Sequence, residues 1–144
     1  MPRFAKTIEI PRSPQEVFDY LTDISRLPEW QSSLQRASSD DDELRVGSQI
    51  REQRKFMGRD VTTHLEVTAF EPPRRFDLKS RGGPLSFEIH HAVEPAERGT
   101  RLHVEVDFKL GPMIRIAARP MLKPAEREFH ADFEQLEEIL GRPE

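Results

Sequence analysis

Between residues 46 and 110 apolar and polar side chains alternate almost without interruption. One phase carries Val61, Thr63, Leu65 and Val67, then Phe76 and Leu78, then Leu85, Phe87, Ile89, His91 and Val93, then Leu102, Val104, Val106, Phe108 and Leu110. The other phase carries His64, Glu66, Arg75, Asp77, Lys79, Glu88, His90, Arg101, His103, Glu105 and Asp107. A period of two belongs to a strand with one buried face. The pattern predicts five strands, at 47–57, 61–70, 74–81, 85–94 and 100–110, separated by turn signals such as Gly58-Arg59-Asp60, Glu71-Pro72-Pro73 and Gly82-Gly83-Pro84. Connections this short join antiparallel neighbours. The result is one sheet with a wet face and a dry face, and the dry face needs a cover.

The flanking segments complete the picture. Residues 4–10 alternate and read as a further strand. Ser13-Pro14-Gln15-Glu16 is a helix start: Ser13 caps, Pro14 fits the first helical position, and Glu16 completes a capping box. Val17, Phe18, Leu21 and Ile24 follow at helical spacing, and Asp23 offers a second cap, so a break and a short second helix ending at 27–30 are expected. A short strand fits 33–37. The acidic stretch 38–43 reads as a solvated loop, because it lacks the glycine and distal glutamate of a calcium loop. Towards the C-terminus Ala118, Leu122, Ala125, Phe129, Phe133, Leu136 and Leu140 recur at steps of three and four. This predicts a long helix opened by Pro112 and stopped by Gly141 and Pro143, and it is the cover for the sheet. Pro120 and Pro124 predict a kink or a broken first third, with regular helix from 125. Glu126, Glu128, Glu134, Glu137 and Glu138 are assigned to the solvated back of that helix.

Composition narrows the function classes. The 144 residues suit one domain, 1–144, with a real core. The absence of cysteine excludes disulfides, zinc–thiolate sites, iron–sulfur clusters and cysteine nucleophiles. A net charge of −4 leaves no electrostatic footprint for nucleic acid. No apolar run is long enough for a membrane span, and the N-terminal segment lacks the apolar core of a secretory signal, so a cytoplasmic protein is expected. No phosphate loop, dinucleotide fingerprint, nucleophile elbow or HExxH pattern occurs, and we expect no cofactor. His64, His90 and His103 fall on the wet phase without a closed ligand set, so no metal is expected either.

The stretch from Ile10 through Ser13-Pro14-Gln15-Glu16-Val17-Phe18 to Asp23 resembles the strand-to-helix opening of the SRPBCC superfamily, the START-like or Bet v 1-like proteins. Leu27-Pro28-Glu29-Trp30 resembles the end of their second helix. Val67-Thr68-Ala69-Phe70-Glu71-Pro72-Pro73-Arg74-Arg75-Phe76 resembles the turn before their fifth strand, and Glu94-Pro95 with Gly99-Thr100-Arg101-Leu102 resembles their last hairpin. The polyketide cyclase/dehydrase-like branch is the best match. The resemblance implies an α+β helix-grip fold in β-α-α-β6-α order: a curved antiparallel seven-stranded sheet wrapped around a long C-terminal helix. It also implies a cavity between sheet and helix.

Several residues are candidates for that cavity. His91 shares the dry phase with Phe87, Ile89 and Val93, where an imidazole serves as a general acid/base or as an interior hydrogen-bonding group. Glu52 and Arg54 share a phase with Ile50 and Phe56. Such a pair binds a polar ligand head, pairs internally, or reaches solvent at the rim. Thr63 and Ser80 add hydroxyls on the same side, and Met113 joins Met121 as adaptable wall. Leu65, Phe76, Leu78, Phe87 and Ile89 supply apolar wall from the sheet, and Met121, Ala125 and Phe129 supply it from the helix. Trp30, at the end of the second helix, is either a ligand-stacking group or core.

These residues support a carrier or receptor for a small, largely hydrophobic molecule: an aromatic, a polyketide-like compound, a lipid or an isoprenoid. An alternative is a cyclase, dehydratase or hydrolase acting on such a ligand with His91 as general acid/base. A second alternative is a protein-interaction module with a filled cavity. A homodimer stays open.

Overall fold

The computed structural model describes residues 3–83 and 85–142. Pro84 and Pro143, two of the breakers named above, lie outside the described residues. The chain runs β1 (Arg3–Ile10), α1 (Pro14–Thr22), a 3₁₀ helix (Ile24–Glu29), β2 (Leu34–Ser39), β3 (Gln49–Phe56), β4 (Arg59–Glu71), β5 (Arg75–Ser80), β6 (Phe87–Ala96), β7 (Gly99–Phe108) and α2 (Pro112–Gly141). All seven strands form one antiparallel sheet in the order β1-β7-β6-β5-β4-β3-β2.

Local chemistry explains the first helices. The Ser13 hydroxyl accepts from the Glu16 N–H at 3.2 Å, and the Ser13 N–H donates back to Glu16 Oε1 at 3.3 Å. This capping box satisfies donors that a helix start otherwise leaves bare. The Asp23 carboxylate accepts from the Ser25 N–H at 3.1 Å and opens the 3₁₀ helix, which Trp30 closes. The sheet curves where its register slips, between Val67 and Ala69 of β4 and between Leu34 and Arg36 of β2. An extra residue at such a bulge bends and twists the strand. At the β6–β7 hairpin Gly99 takes φ +149°, and a Cβ there would lie 2.3 Å from the Ile10 carbonyl. Only glycine lets this hairpin close against the end of β1.

Two expectations are corrected. The first third of α2 is not broken, since helix runs from Pro112 through Pro120 and Pro124 to Gly141. The carbonyls of Ile116 and Pro120 lose their helical donors, but both residues are exposed and water can take the donors' place. Asp77, on the wet phase, is buried. Its Oδ2 accepts from Arg75 Nη2 at 2.7 Å and from His90 Nδ1 at 3.0 Å, so these side chains close over it. Burial alone would raise the Asp77 carboxyl, but Arg75 and His90 hold it below the ordinary carboxylate range.

The core between sheet and α2 divides into two buried clusters. One joins α1, the 3₁₀ helix and the second half of α2 to the sheet through Phe18, Leu21, Trp30, Phe133 and Leu136. The other gathers Phe4, Val106, Phe108, Leu110 and Ala118. Phe87, Ile89 and Phe129 pack against both.

Candidate functional site

The two clusters do not meet everywhere. Between them lies a cavity of about 310 Å³. Side-chain size along α2 accounts for it. The helix lines the space with Ala118, Met121, Leu122 and Ala125 in its first half, where two of four side chains are methyl groups. Phe133, Leu136 and Leu140 fill the gap further along. Fourteen of the residues named from the sequence lie on this cavity's wall, whereas Met113 is exposed and Ser80 lines the neighbouring depression. β3 contributes Glu52, Arg54 and Phe56, β4 contributes Thr63 and Leu65, and β5 contributes Phe76 and Leu78. β6 contributes Phe87, Ile89 and His91, α2 contributes Met121, Ala125 and Phe129, and Trp30 closes one end.

Glu52 and Arg54 pair with each other. Arg54 Nε and Nη2 donate to Glu52 Oε1 at 3.1 and 2.8 Å. Glu52 is 4% exposed, while the Arg54 side chain keeps 22% of its surface in solvent, so only the carboxylate is fully withdrawn from the rim. Arg54 Nη1 also donates to Ser33 Oγ at 3.0 Å, and Nη2 donates to the Gln31 side-chain oxygen. Ser33 Oγ in turn donates to Glu128 Oε2 at 3.1 Å. Nearby, Asp132 Oδ1 accepts from the Ser32 N–H and hydroxyl at 3.1 and 3.0 Å. The guanidinium thus bonds directly to one carboxylate, Glu52, reaches Glu128 through the Ser33 hydroxyl, and acts on Asp132 by its charge alone. Burial pushes the Asp132 carboxyl up to about 6, with Glu128 adding to the rise and the Ser32 hydrogen bonds and Arg54 opposing it.

Glu128 corrects the expected solvated back of α2, and Gln31, Ser33 and Asp132 are polar wall residues that the sequence reading missed. A signal for the helical pair was present. Residues 125, 128, 129, 132, 133 and 136 follow one another at alternating steps of three and one, which places Glu128 and Asp132 beside the apolar stripe.

His91 and Trp30 each hold a polar atom without a partner among the described residues. His91 Nδ1 donates to the Phe76 carbonyl at 2.8 Å, so Nε2 carries the lone pair. The ring stacks on Phe76 with centroids 5.4 Å apart. Burial pushes the imidazole down to about 4, leaving it neutral near pH 7. Trp30 lies 4.9 Å from the Phe133 ring, and its buried Nε1 finds no acceptor. A buried donor left bare costs on the order of 1–3 kcal/mol, so this wall is suited to a ligand that brings an acceptor.

Asp132 makes stability depend on pH. Its folded value, about 6, lies above the ordinary 3.8, so the folded state binds this proton more tightly than the unfolded state. Stability from this group is present below about pH 4 and lost as pH rises through 6. Asp132→Asn keeps an oxygen for Ser32 but cannot ionise. Relative to the parent, it should gain on the order of 2 kcal/mol between pH 4 and pH 7, allowing for screening at the cavity. Urea unfolding of both proteins across that range checks this, and a constant difference would reject the assignment.

On the opposite face of the sheet His103 Nε2 donates to Glu105 at 3.0 Å, and its Nδ1 lies 2.6 Å from the Thr7 hydroxyl. Among the described residues no three histidines or carboxylates converge into a set able to hold a metal ion.

Residues 1–141 match the family described as polyketide cyclase / dehydrase and lipid transport. The chain belongs to that family. An uncharacterised Mycobacterium tuberculosis protein, Rv1546, is 26% identical over 139 residues, covering 92% of this chain and 94% of its own. TTHA0849 from Thermus thermophilus superposes with a TM-score of 0.79 at 19% identity, over 96% of this chain and 97% of that one. The di-domain ARO/CYC StfQ from the steffimycin biosynthetic pathway superposes at 0.75 with 12% identity, over 94% of this chain and 49% of StfQ. Ara h 8.0201 superposes at 0.70 with 13% identity, over 96% and 97%. These polyketide cyclase/dehydrase relatives and Bet v 1-like structures share the helix-grip fold, a curved seven-stranded sheet around a long C-terminal helix.

Proposed function

We propose that this protein is a carrier or receptor for one small, largely hydrophobic molecule held between sheet and α2. The observation that supports it most is the unfilled apolar space itself, walled by phenylalanine, leucine and isoleucine side chains and open enough for a compact ligand. That space also weakens the reading as an interaction module with a filled cavity. The polar atoms narrow the ligand. Trp30 Nε1 asks for an acceptor, and His91 Nε2 asks for a donor. A fused aromatic or polyketide-like compound with a carbonyl and a hydroxyl meets both demands better than a plain hydrocarbon. A lipid or isoprenoid with an oxygenated head is the next best fit.

Native mass spectrometry of the purified protein should find one retained small molecule per chain, or saturable one-to-one uptake of the neutral dye N-phenyl-1-naphthylamine. Absence of both would reject the carrier reading. The second reading, a cyclase, dehydratase or hydrolase with His91 as general acid/base, draws on the open Nε2. The depressed basicity of that imidazole argues against it near neutral pH. A His91→Ala variant that keeps the ligand but abolishes a turnover seen in the parent would reverse this preference.

A further inference from the structure

Charge is segregated on this molecule. Residues 55–61 and 109–124 together hold six cations, Lys55, Arg59, Lys109, Arg115, Arg119 and Lys123, against one acid, Asp60. These 23 residues carry +5 in a chain of net charge −4, so the other 121 carry −9. Lys109 pairs with Glu88 at 3.8 Å, while the other five cations make no ion pair among the described residues. The two segments meet at one end of the fold. Val61 of β4 and Ile114, Ala118 and Met121 of α2 line one depression, which shares Val61, Ala118 and Met121 with the main cavity.

Among the described residues these two segments hold all the exposed large apolar side chains but Val46, which is 62% exposed. Met113 is 84% exposed, Ile116 68% and Met57 60%, while Val61 at 41% and Ile114 at 38% are partly covered. Met57 is notable for its backbone. It and Gly58 form the two-residue β3–β4 turn with φ +52° and +77°, a conformation that favours asparagine followed by glycine. A methionine there is costly in conformation, and more than half of this one lies in solvent.

We propose that this end of the protein docks on an anionic lipid bilayer, with Met57, Met113 and Ile116 entering the interface and Arg59, Arg115, Arg119 and Lys123 facing the headgroups. Apolar side chains ringed by cations are the chemistry of interfacial membrane binding. No helix among the described residues is long and apolar enough to cross a membrane, so the contact is at the surface. A second copy is a poorer occupant, because a two-fold contact would set like cations against one another. Docking stands whatever the cavity holds. Exchange of a ligand with the bilayer would rest in addition on the carrier reading.

The test is co-sedimentation with vesicles of phosphatidylcholine alone or with about 30% phosphatidylglycerol. The protein should bind the anionic vesicles at least tenfold more tightly and be released at about 1 M salt. Arg115→Gln with Arg119→Gln should weaken binding about 25-fold. Met57→Asn suits its turn, so that variant should melt no lower than the parent and still bind the anionic vesicles more weakly. Equal binding to both vesicles, binding to neither, or parental affinity in these variants would overturn the proposal. So would concentration-dependent dimerisation that the variants abolish without any vesicle binding. Naphthylamine uptake is measured in parallel. Vesicle binding lost with uptake retained rejects docking alone, and uptake absent with vesicle binding retained rejects the carrier reading alone.

Discussion

Replacing Arg54 by alanine should destabilise the protein by about 3 to 5 kcal/mol, the usual consequence of leaving a buried partner charge uncompensated. Glu52 is almost wholly buried and receives two of its hydrogen bonds from Arg54. Removing the guanidinium also strips a donor from Ser33 and one from Gln31. Glu128 would lose its link to the guanidinium through Ser33, and the Asp132 carboxyl, which Arg54 holds down against burial, should rise further. Urea unfolding midpoints measure the loss. The double variant Arg54→Met with Glu52→Leu supplies the control. Replacing both partners with apolar groups of similar size is often neutral, so it should recover most of the stability. A loss below about 1 kcal/mol in Arg54→Ala would mean that the pair behaves as an exposed one and contributes little.

Placing tryptophan at position 125 should abolish most ligand binding with little effect on the fold. Ala125 faces the cavity from the half of α2 where small side chains leave the gap. An indole there displaces roughly 100 Å² of ligand contact, worth about 2.5 kcal/mol at 25 cal/mol per Å², or nearly 70-fold in affinity. Titration with N-phenyl-1-naphthylamine reads the affinity, and thermal unfolding checks the fold. Alanine and tryptophan both tolerate helix, and the new side chain enters open space rather than packed core, so Tm should stay near that of the parent. Parental dye affinity in a folded Ala125→Trp protein would show that the ligand sits elsewhere.

The strand part of the cavity wall was readable because strands report their faces directly. With a period of two, knowing that Phe87 and Ile89 face inward also places His91 inward, and Ile50 does the same for Glu52 and Arg54. The helix part was less readable. An α-helix has a broad boundary between its apolar stripe and its wet back, so Glu128 and Asp132 can belong to either. What drew them in was Ser32 and Ser33, about 100 residues away in the chain, whose hydroxyls and backbone meet them across the fold. Asp77 shows the same limit on the sheet. Its phase was legible, but its burial depended on Arg75 and His90 closing over it. Pro120 and Pro124 mark a third case. The local rule for proline predicts a break, yet packing of α2 against the sheet outweighs two missing hydrogen bonds on residues that water can reach.

The sequence by itself determined the element order, the alternation that makes one face of the sheet dry, the capping box at Ser13, and which strand residues face inward. These follow from steric and hydrogen-bonding preferences between close neighbours in the chain. Only the tertiary structure decided that sheet and helix stand apart at Ala118 and Ala125, that Arg54 bonds Glu52 and reaches Glu128 through Ser33, and that Val61 of β4 lines one depression with Ile114 and Met121 of α2. A gap between layers and a field shared among distant charges depend on how far apart two surfaces come to rest, and no stretch of neighbouring residues records that distance.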